Sequence, residues 1–428
     1  MEAVPSCHPD CLSRKNRYTA LFVGSPSPFI FMEHAFDFAS VKIPTPYYII
    51  DRAALRRNMA IHADVQKRTG CKILLALKAF STWGVFKDMA PLLDGVAASS
   101  LNEVKLGKEE FGKSIHLYSP AYCEAELEAA LPMVDYLLFN SGNQYERFRP
   151  LVKKSGRKVH CGFRINPEYS EVQMEIYNPC TNRSRFGMRS DVVHEVSLKG
   201  IDGFHFHTMC QQGSDVLART LELVEERFGK YFRKLKWINF GGGHHITRKG
   251  YDIEGLCEII NNFKQKYNLD VFLEPGESHV LNTGFLVATV LDVIENPTSI
   301  DVAILDTSAA AHMPDVLEMP YTPEMLHARR VLESADTDTP LDEGRYKYIV
   351  GSKTCLSGDI IGEYRFKKPL KVGDRVVFAD MSQYTMCKNT MFNGLRLPSI
   401  VSCDSEVKGG DIRVIREFGY EDFKSRLS

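Results

Sequence analysis

No run of apolar residues in this 428-residue chain is long enough to span a bilayer. The best stretch, Ala20 to Met32, is broken by Gly24, Pro26 and Pro28, and it lacks the small-residue cleavage pattern of a secretory signal. Excess charge of either sign is missing too. Lysine and arginine (53) balance aspartate and glutamate (54), so no net field recruits nucleic acid or an anionic membrane, and small-molecule chemistry is favoured. Eleven cysteines are present, but at irregular spacings without paired CxxC units, which points to reduced thiols and a cytoplasmic location rather than a disulfide scaffold. Cys7 and Cys11, around His8, have no second cluster to complete a zinc site. The spaced-glycine fingerprint of a dinucleotide fold is absent, which excludes a nicotinamide or flavin reading. There is no internal repeat and no low-complexity tract.

What is present is a soluble composition, 44% hydrophobic and 25% charged, in a chain long enough for two domains. Residues 1–43 form an N-terminal extension with little pattern. From Pro44 the text changes: Tyr47-Tyr48-Ile49-Ile50 reads as a strand and Asp51 as the cap of a helix. Strand-like runs then recur at 72–77, 95–98, 114–118, 136–139, 158–165, 203–207, 237–240 and 271–274, mostly separated by helical periodicity. Alternation of this kind implies parallel strands, and about eight of them predict an α/β fold with a closed (β/α)8 barrel over residues 44–284. Short strands with turn residues follow over 285–428 and predict a β domain, with a polar surface loop at Glu333 to Pro340.

Barrel chemistry collects where strands end. Lys78 ends the apolar run Ile73-Leu74-Leu75-Ala76-Leu77. Desolvation there disfavours the ammonium and leaves an amine able to form a Schiff base, whereas an ordinary lysine would snorkel. Gly241-Gly242-Gly243 follows Trp237-Ile238-Asn239-Phe240 and lets backbone amides approach an anion, or simply makes a tight turn. Glu274, opening Glu274-Pro275-Gly276-Glu277, is costly at a barrel mouth without a partner; a protonated ring nitrogen would serve, and so would Arg164. His205 and His207 share one strand face, as a pair able to bind metal with His244 or to stack on an aromatic cofactor. Cys355, in Cys355-Leu356-Ser357-Gly358-Asp359, and Tyr384, after Gln383, lie far along the chain.

In order, Ala76-Leu77-Lys78-Ala79-Phe80, His205-Phe206-His207, the three glycines, Glu274-Pro275-Gly276, Cys355-x-Ser-Gly-Asp359 and Gln383-Tyr384-Thr385 resemble the fold-type III pyridoxal-phosphate decarboxylases. That family includes diaminopimelate, ornithine and arginine decarboxylases. The resemblance spans Pro44 to Arg416 and implies an alanine-racemase-like barrel with a C-terminal β domain, no resident metal, and a homodimer with composite active sites. It implies that Lys78 carries pyridoxal 5'-phosphate, that His207 stacks on the ring, that Glu274 faces the ring nitrogen, and that Gly241, Gly242, Gly243, Gly276 and Tyr384 complete the cofactor site. Cys355 would come from the partner subunit as the acid that protonates the carbanion, with Asp359 among the substrate contacts.

Departures from the family narrow the substrate. Diaminopimelate decarboxylases carry arginine where Glu277 stands, and an acidic residue where Leu356 stands. A carboxylate at 277 suits a substrate that brings an amine. Cys210 replaces a serine that touches phosphate in relatives. His207-Thr208-Met209-Cys210, Glu274-Pro275-Gly276-Glu277 and the segment from His312 to Pro320 together look most like the carboxynorspermidine decarboxylases, which also accept carboxyspermidine, with Asp315 as a second acidic contact. The expected reaction is removal of the α-carboxyl of such a carboxypolyamine; arginine, ornithine and diaminopimelate are the alternative substrates, and a non-catalytic cofactor-binding protein a more distant one.

Overall fold

A computed structural model describes residues 36–331 and 344–428. The cysteines at positions 7 and 11, the greater part of the N-terminal extension and the loop from 333 to 340 lie outside the described residues. Eight parallel strands close a barrel in sequential order. Naming the preceding strand Tyr47–Asp51 β1, the barrel strands are β2 (Lys72–Ala76), β3 (Gly95–Ala98), β4 (Ser114–Tyr118), β5 (Tyr136–Phe139), β6 (His160–Arg164), β7 (Gly203–His205), β8 (Trp237–Asn239) and β9 (Asp270–Leu273). Each coincides with one of the apolar runs read from sequence.

The barrel closes because its lumen fills. Leu74, Leu138, Trp237 and Phe272 pack together inside it, with Ala97, Tyr118 and Tyr136 against them. The indole of Trp237 occupies space that β6 and β7 leave open at Gly162 and Gly203, where a Cβ would fall 2.4 Å and 2.1 Å from the ring. Outside, the helix Ser214–Phe232 buries Leu217, Leu221, Val224 and Phe228, one stripe at helical spacing. Its last residue, Phe232, packs edge-on against Tyr267 of the neighbouring helix Ile253–Tyr267.

The second sheet is mixed. It contains β10 (Gly284–Ile294), β11 (Asp301–Leu305), β12 (Ala328–Arg330), β13 (Tyr346–Ser352), β14 (Ile360–Phe366), β15 (Arg375–Ala379), β16 (Ser399–Cys403) and β17 (Arg413–Arg416). It also contains β1, which pairs antiparallel with β10 and parallel with β16. This corrects the expectation that the barrel segment begins at residue 44. A strand buried throughout its length, as Tyr47–Asp51 is, presents the same apolar run whichever sheet it joins. Asp51 does cap the following helix, accepting from Ala53 N–H, and it also accepts from the Ser405 hydroxyl, so one carboxylate fastens the sheet to the first barrel helix.

Candidate active site

Lys78, His207, Gly241 and Glu274 follow the C-terminal ends of β2, β7, β8 and β9 and so meet at one mouth of the barrel. Lys78 lines a cavity together with Ser99, Tyr118, Arg164, His205, His207 and Glu274. Its amine is open to that cavity while protein encloses it at longer range. Enclosure, reinforced by the Arg164 guanidinium, pushes the ammonium below the ordinary lysine range, as a nucleophilic amine requires.

Glu274 is held by neutral groups. Asn239 Nδ2 donates to its Oε1 at 2.6 Å, and His205 Nε2 stands 3.2 Å from Oε2. Burial opposes its ionisation, but His205 and Asn239 outweigh that and keep the carboxyl below the usual carboxylate value. Arg164, the alternative partner suggested by sequence, is engaged elsewhere: it donates to the His207 carbonyl at 3.2 Å and lies over the rings of Tyr118 and Phe186.

The three glycines act first on the protein itself. Gly242 N–H donates to His207 Nδ1 at 2.7 Å, which leaves the hydrogen on Nε2 and fixes the ring's orientation. Gly241 N–H donates to Asn239 Oδ1 at 2.8 Å. Gly241 and Gly243 both have positive φ, 72° and 87°, and a Cβ on either would strike the backbone of the Phe206–Cys210 segment, at the Phe206 carbonyl (2.3 Å) and the Met209 carbonyl (2.1 Å). The amides of Gly241 and Gly242 are thus engaged by Asn239 and His207. Gly276 has another task, because a Cβ there would lie 2.4 Å from that of Ala79 and would force the Glu274 loop away from the lysine turn.

Beside the cavity lies an acidic wall. Gln211, at φ 55°, donates to Glu277 Oε1 at 2.5 Å. Burial, with Asp380 next to it, pushes Glu277 up to about 7. Burial likewise pushes Asp380 up to about 6, while Gln383 donates to it at 2.8 Å. Asp315 and Tyr384 stand close enough to act on Glu277 or feel its charge, and Cys210 is within the same reach. Asp315 also pairs with Lys388 at 2.6 Å.

The family described as "Pyridoxal-dependent decarboxylase, C-terminal sheet domain" matches residues 47–382. A carboxynorspermidine/carboxyspermidine decarboxylase of Campylobacter jejuni is 44% identical over 387 residues, covering 90% of this chain and 99% of its own. The chain belongs to the pyridoxal-dependent decarboxylases. A carboxyaminopropylagmatine decarboxylase of Synechocystis is 41% identical, covering 90% of this chain and 96% of its own. The crystal structure of a carboxynorspermidine decarboxylase from Campylobacter jejuni, complexed with norspermidine, superposes with a TM-score of 0.82 at 42% identity, over 90% of this chain and 100% of that one.

Pyridoxal phosphate is the cofactor of this decarboxylase family, and the cavity fits it. A lysine of lowered pKa, an ionised, half-buried carboxylate with no lysine or arginine hydrogen-bonded to it, and an imidazole of fixed orientation converge on one space. The geometry of His205 and His207 answers the metal alternative, because one ring serves Glu274 and the other accepts from Gly242. Among the described residues no helix is long and apolar enough to cross a membrane.

Two expected site residues are not at the cavity. Cys355 is exposed in a separate surface groove with Lys353, Asn393 and Arg396. Asp359 does not fit a substrate contact: its carboxylate accepts from Ser308 (2.6 Å), Ser352 (2.8 Å), Thr354 (2.5 Å) and the Ala310 amide (3.1 Å), which makes it a buried knot between loops. Sequence reading gave no role of their own to Asp380, Gln211 and Gln383. Asp380 had a usable signal, since it closes the apolar run Val376-Val377-Phe378-Ala379 much as Glu274 closes its own strand.

Proposed function

We propose that this decarboxylase acts on carboxynorspermidine or carboxyspermidine and releases norspermidine or spermidine with carbon dioxide. The observation that carries the reading is the wall formed by Glu277 and Asp380, two half-buried carboxylates whose polar partners are amides. Partly desolvated charge of one sign calls for a ligand of the other. A chain of amines ending in an α-amino acid presents ammonium groups to that wall while its amino acid end reaches Lys78. The relatives at 44% and 38% identity that bear this activity in their names support it.

Lys78 would hold the cofactor through its ε-amine. Bound there, pyridoxal phosphate would supply the electron sink that lets the α-carboxyl leave as carbon dioxide. His207 presents its ring to one face of the site, held by Gly242. Glu274, kept ionised by Asn239 and His205, would serve the ring nitrogen. The Tyr384 hydroxyl, Gly243 and Gly276 complete the cradle at the phosphate end, with Gly241 and Gly242 shaping it. One proton must reach the α-carbon after the carboxyl leaves. Cys355 delivers it from a second subunit, and its place outside the cavity of its own chain supports a homodimer. The cysteine usage and the absence of a long apolar helix among the described residues support a cytoplasmic enzyme.

One observation favours a second reading: the relative at 41% identity acts, by its name, on a carboxyaminopropyl derivative of agmatine, a cation with a guanidinium end. Carbon dioxide release should be assayed with carboxynorspermidine, carboxyspermidine and carboxyaminopropylagmatine, beside arginine, ornithine and diaminopimelate. The proposal expects the highest kcat/KM for the first two. Preference for the agmatine derivative, or for an amino acid without the polyamine chain, overturns it.

A further inference from the structure

A histidine stands inside the barrel with nothing to pair with. His116, on β4, is 1% exposed, and neither ring nitrogen has a hydrogen-bond partner. Its ring stacks on Tyr136 of β5 at 4.0 Å and meets Phe272 of β9 at 4.9 Å, so it lies in the side-chain layer that contains Phe272. Side chains two residues apart on a strand share a face. Glu274 therefore follows Phe272 into the layer above, and Tyr118 follows His116. His116 lines the floor of the cavity whose walls include Lys78, His205 and Glu274.

Barrel lumens are ordinarily packed with branched aliphatic side chains. An imidazole with an unpaired donor and an unpaired acceptor is destabilising there relative to such a residue, because each buried polar group gives up its hydrogen bond to water. Burial brings its pKa to about 3, so the ring is neutral and carries one N–H. Above it, Glu274 accepts one hydrogen bond, from Asn239, and has His205 Nε2 3.2 Å from its other oxygen, which leaves acceptor positions open among its roughly four.

We propose that His116 is a positioning residue for Glu274: its N–H, through one buried water on the cavity floor, supports the carboxylate and holds it toward the ring nitrogen of the cofactor. The water satisfies His116, and the carboxylate keeps its charge because the support is neutral. The proposal rests on the reading of Glu274 as the partner of the ring nitrogen.

The test uses the full-length protein stripped of cofactor and titrated with pyridoxal phosphate or with its analogue in which carbon replaces the ring nitrogen. Binding is followed by fluorescence and by the visible spectrum. His116→Phe preserves the stack on Tyr136 and removes both nitrogens. The expected result is a dissociation constant for pyridoxal phosphate raised roughly tenfold, with the analogue changed less than about twofold, the loss typical of a residue that orients a direct contact. His116→Asn, which keeps an N–H donor, should recover part of the loss, and it carries the test if His116→Phe does not fold. Equal weakening of both ligands, or of neither, overturns the proposal. The Lys78 reading is judged separately, because Lys78→Ala removes the visible spectrum of the bound cofactor whatever His116 does.

Discussion

Replacing Glu277 by glutamine removes a charge and almost nothing else. The amide has the same size, and both Gln211 and Gln383 can still reach it. A hydrogen bond to a charged group is worth about 1.5–3 kcal/mol. Losing it should raise KM for carboxynorspermidine roughly 10- to 100-fold at pH 8, since about 1.4 kcal/mol corresponds to tenfold. Because the role proposed for Glu277 is to contact the substrate chain and not Lys78, kcat and the visible spectrum of the bound cofactor should change little.

The pH dependence supplies an internal control. Glu277 is raised to about 7 and Asp380 to about 6, so in the free enzyme these carboxyls are protonated and neutral below about pH 6, and ionised above about pH 7. Ammonium binding needs the ionised form. Wild-type kcat/KM should therefore rise with pH through this interval, and the Glu277→Gln variant should rise less steeply because only Asp380 still titrates. At pH 6, where about a tenth of Glu277 is still ionised, the gap should shrink to roughly 2- to 10-fold. An unchanged KM at pH 8, or a KM ratio as large at pH 6 as at pH 8, would refute the assignment of Glu277 as an amine contact.

Other outcomes follow from the same structure. Lys78→Ala should abolish both the visible absorbance of the cofactor-bound protein and carbon dioxide release, and full activity in that variant would end the mechanism. Mixing Lys78→Ala and Cys355→Ser subunits, each nearly inactive alone, should restore about a quarter of wild-type activity if each site draws on two chains, because half of randomly paired dimers hold one intact site of two; no recovery would place Cys355 outside the reaction. Gly203→Ala should lower stability by about 1–3 kcal/mol or more in denaturant titration, since its Cβ would meet the Trp237 indole at 2.1 Å.

The barrel was legible because its parallel strands are buried on both faces and read as continuous apolar runs, and eight of these recur between helical stretches. The membership of β1 was not legible. Its five residues are all buried, so no alternation distinguishes a barrel strand from one lying between β10 and β16. At the site, Lys78, His207 and Glu274 stood out as polar residues where apolar runs stop. Gln211 and Gln383 could not, since an amide in a loop acquires meaning only from the carboxylate it touches, and that pairing spans 66 positions for Gln211 and Glu277.

The partners of the acidic residues decide which of them can hold a substrate. Glu277 and Asp380 are contacted by amides, which orient a carboxylate and leave its charge available. Asp315, expected from sequence to be a second acidic contact, already has the Lys388 ammonium at 2.6 Å, and that lysine is shared with Glu318. A charge so paired has little left to offer a second cation. Asp315→Asn should accordingly raise KM for carboxynorspermidine only a few-fold, in keeping with the ~1 kcal/mol or less of a partly exposed ion pair, with Glu318 still holding Lys388. Asp380→Asn should raise it as much as Glu277→Gln does. If Asp315→Asn proves the more damaging of the two, the substrate displaces Lys388 on binding, and the amine path runs along Asp315 rather than along the wall of Glu277 and Asp380.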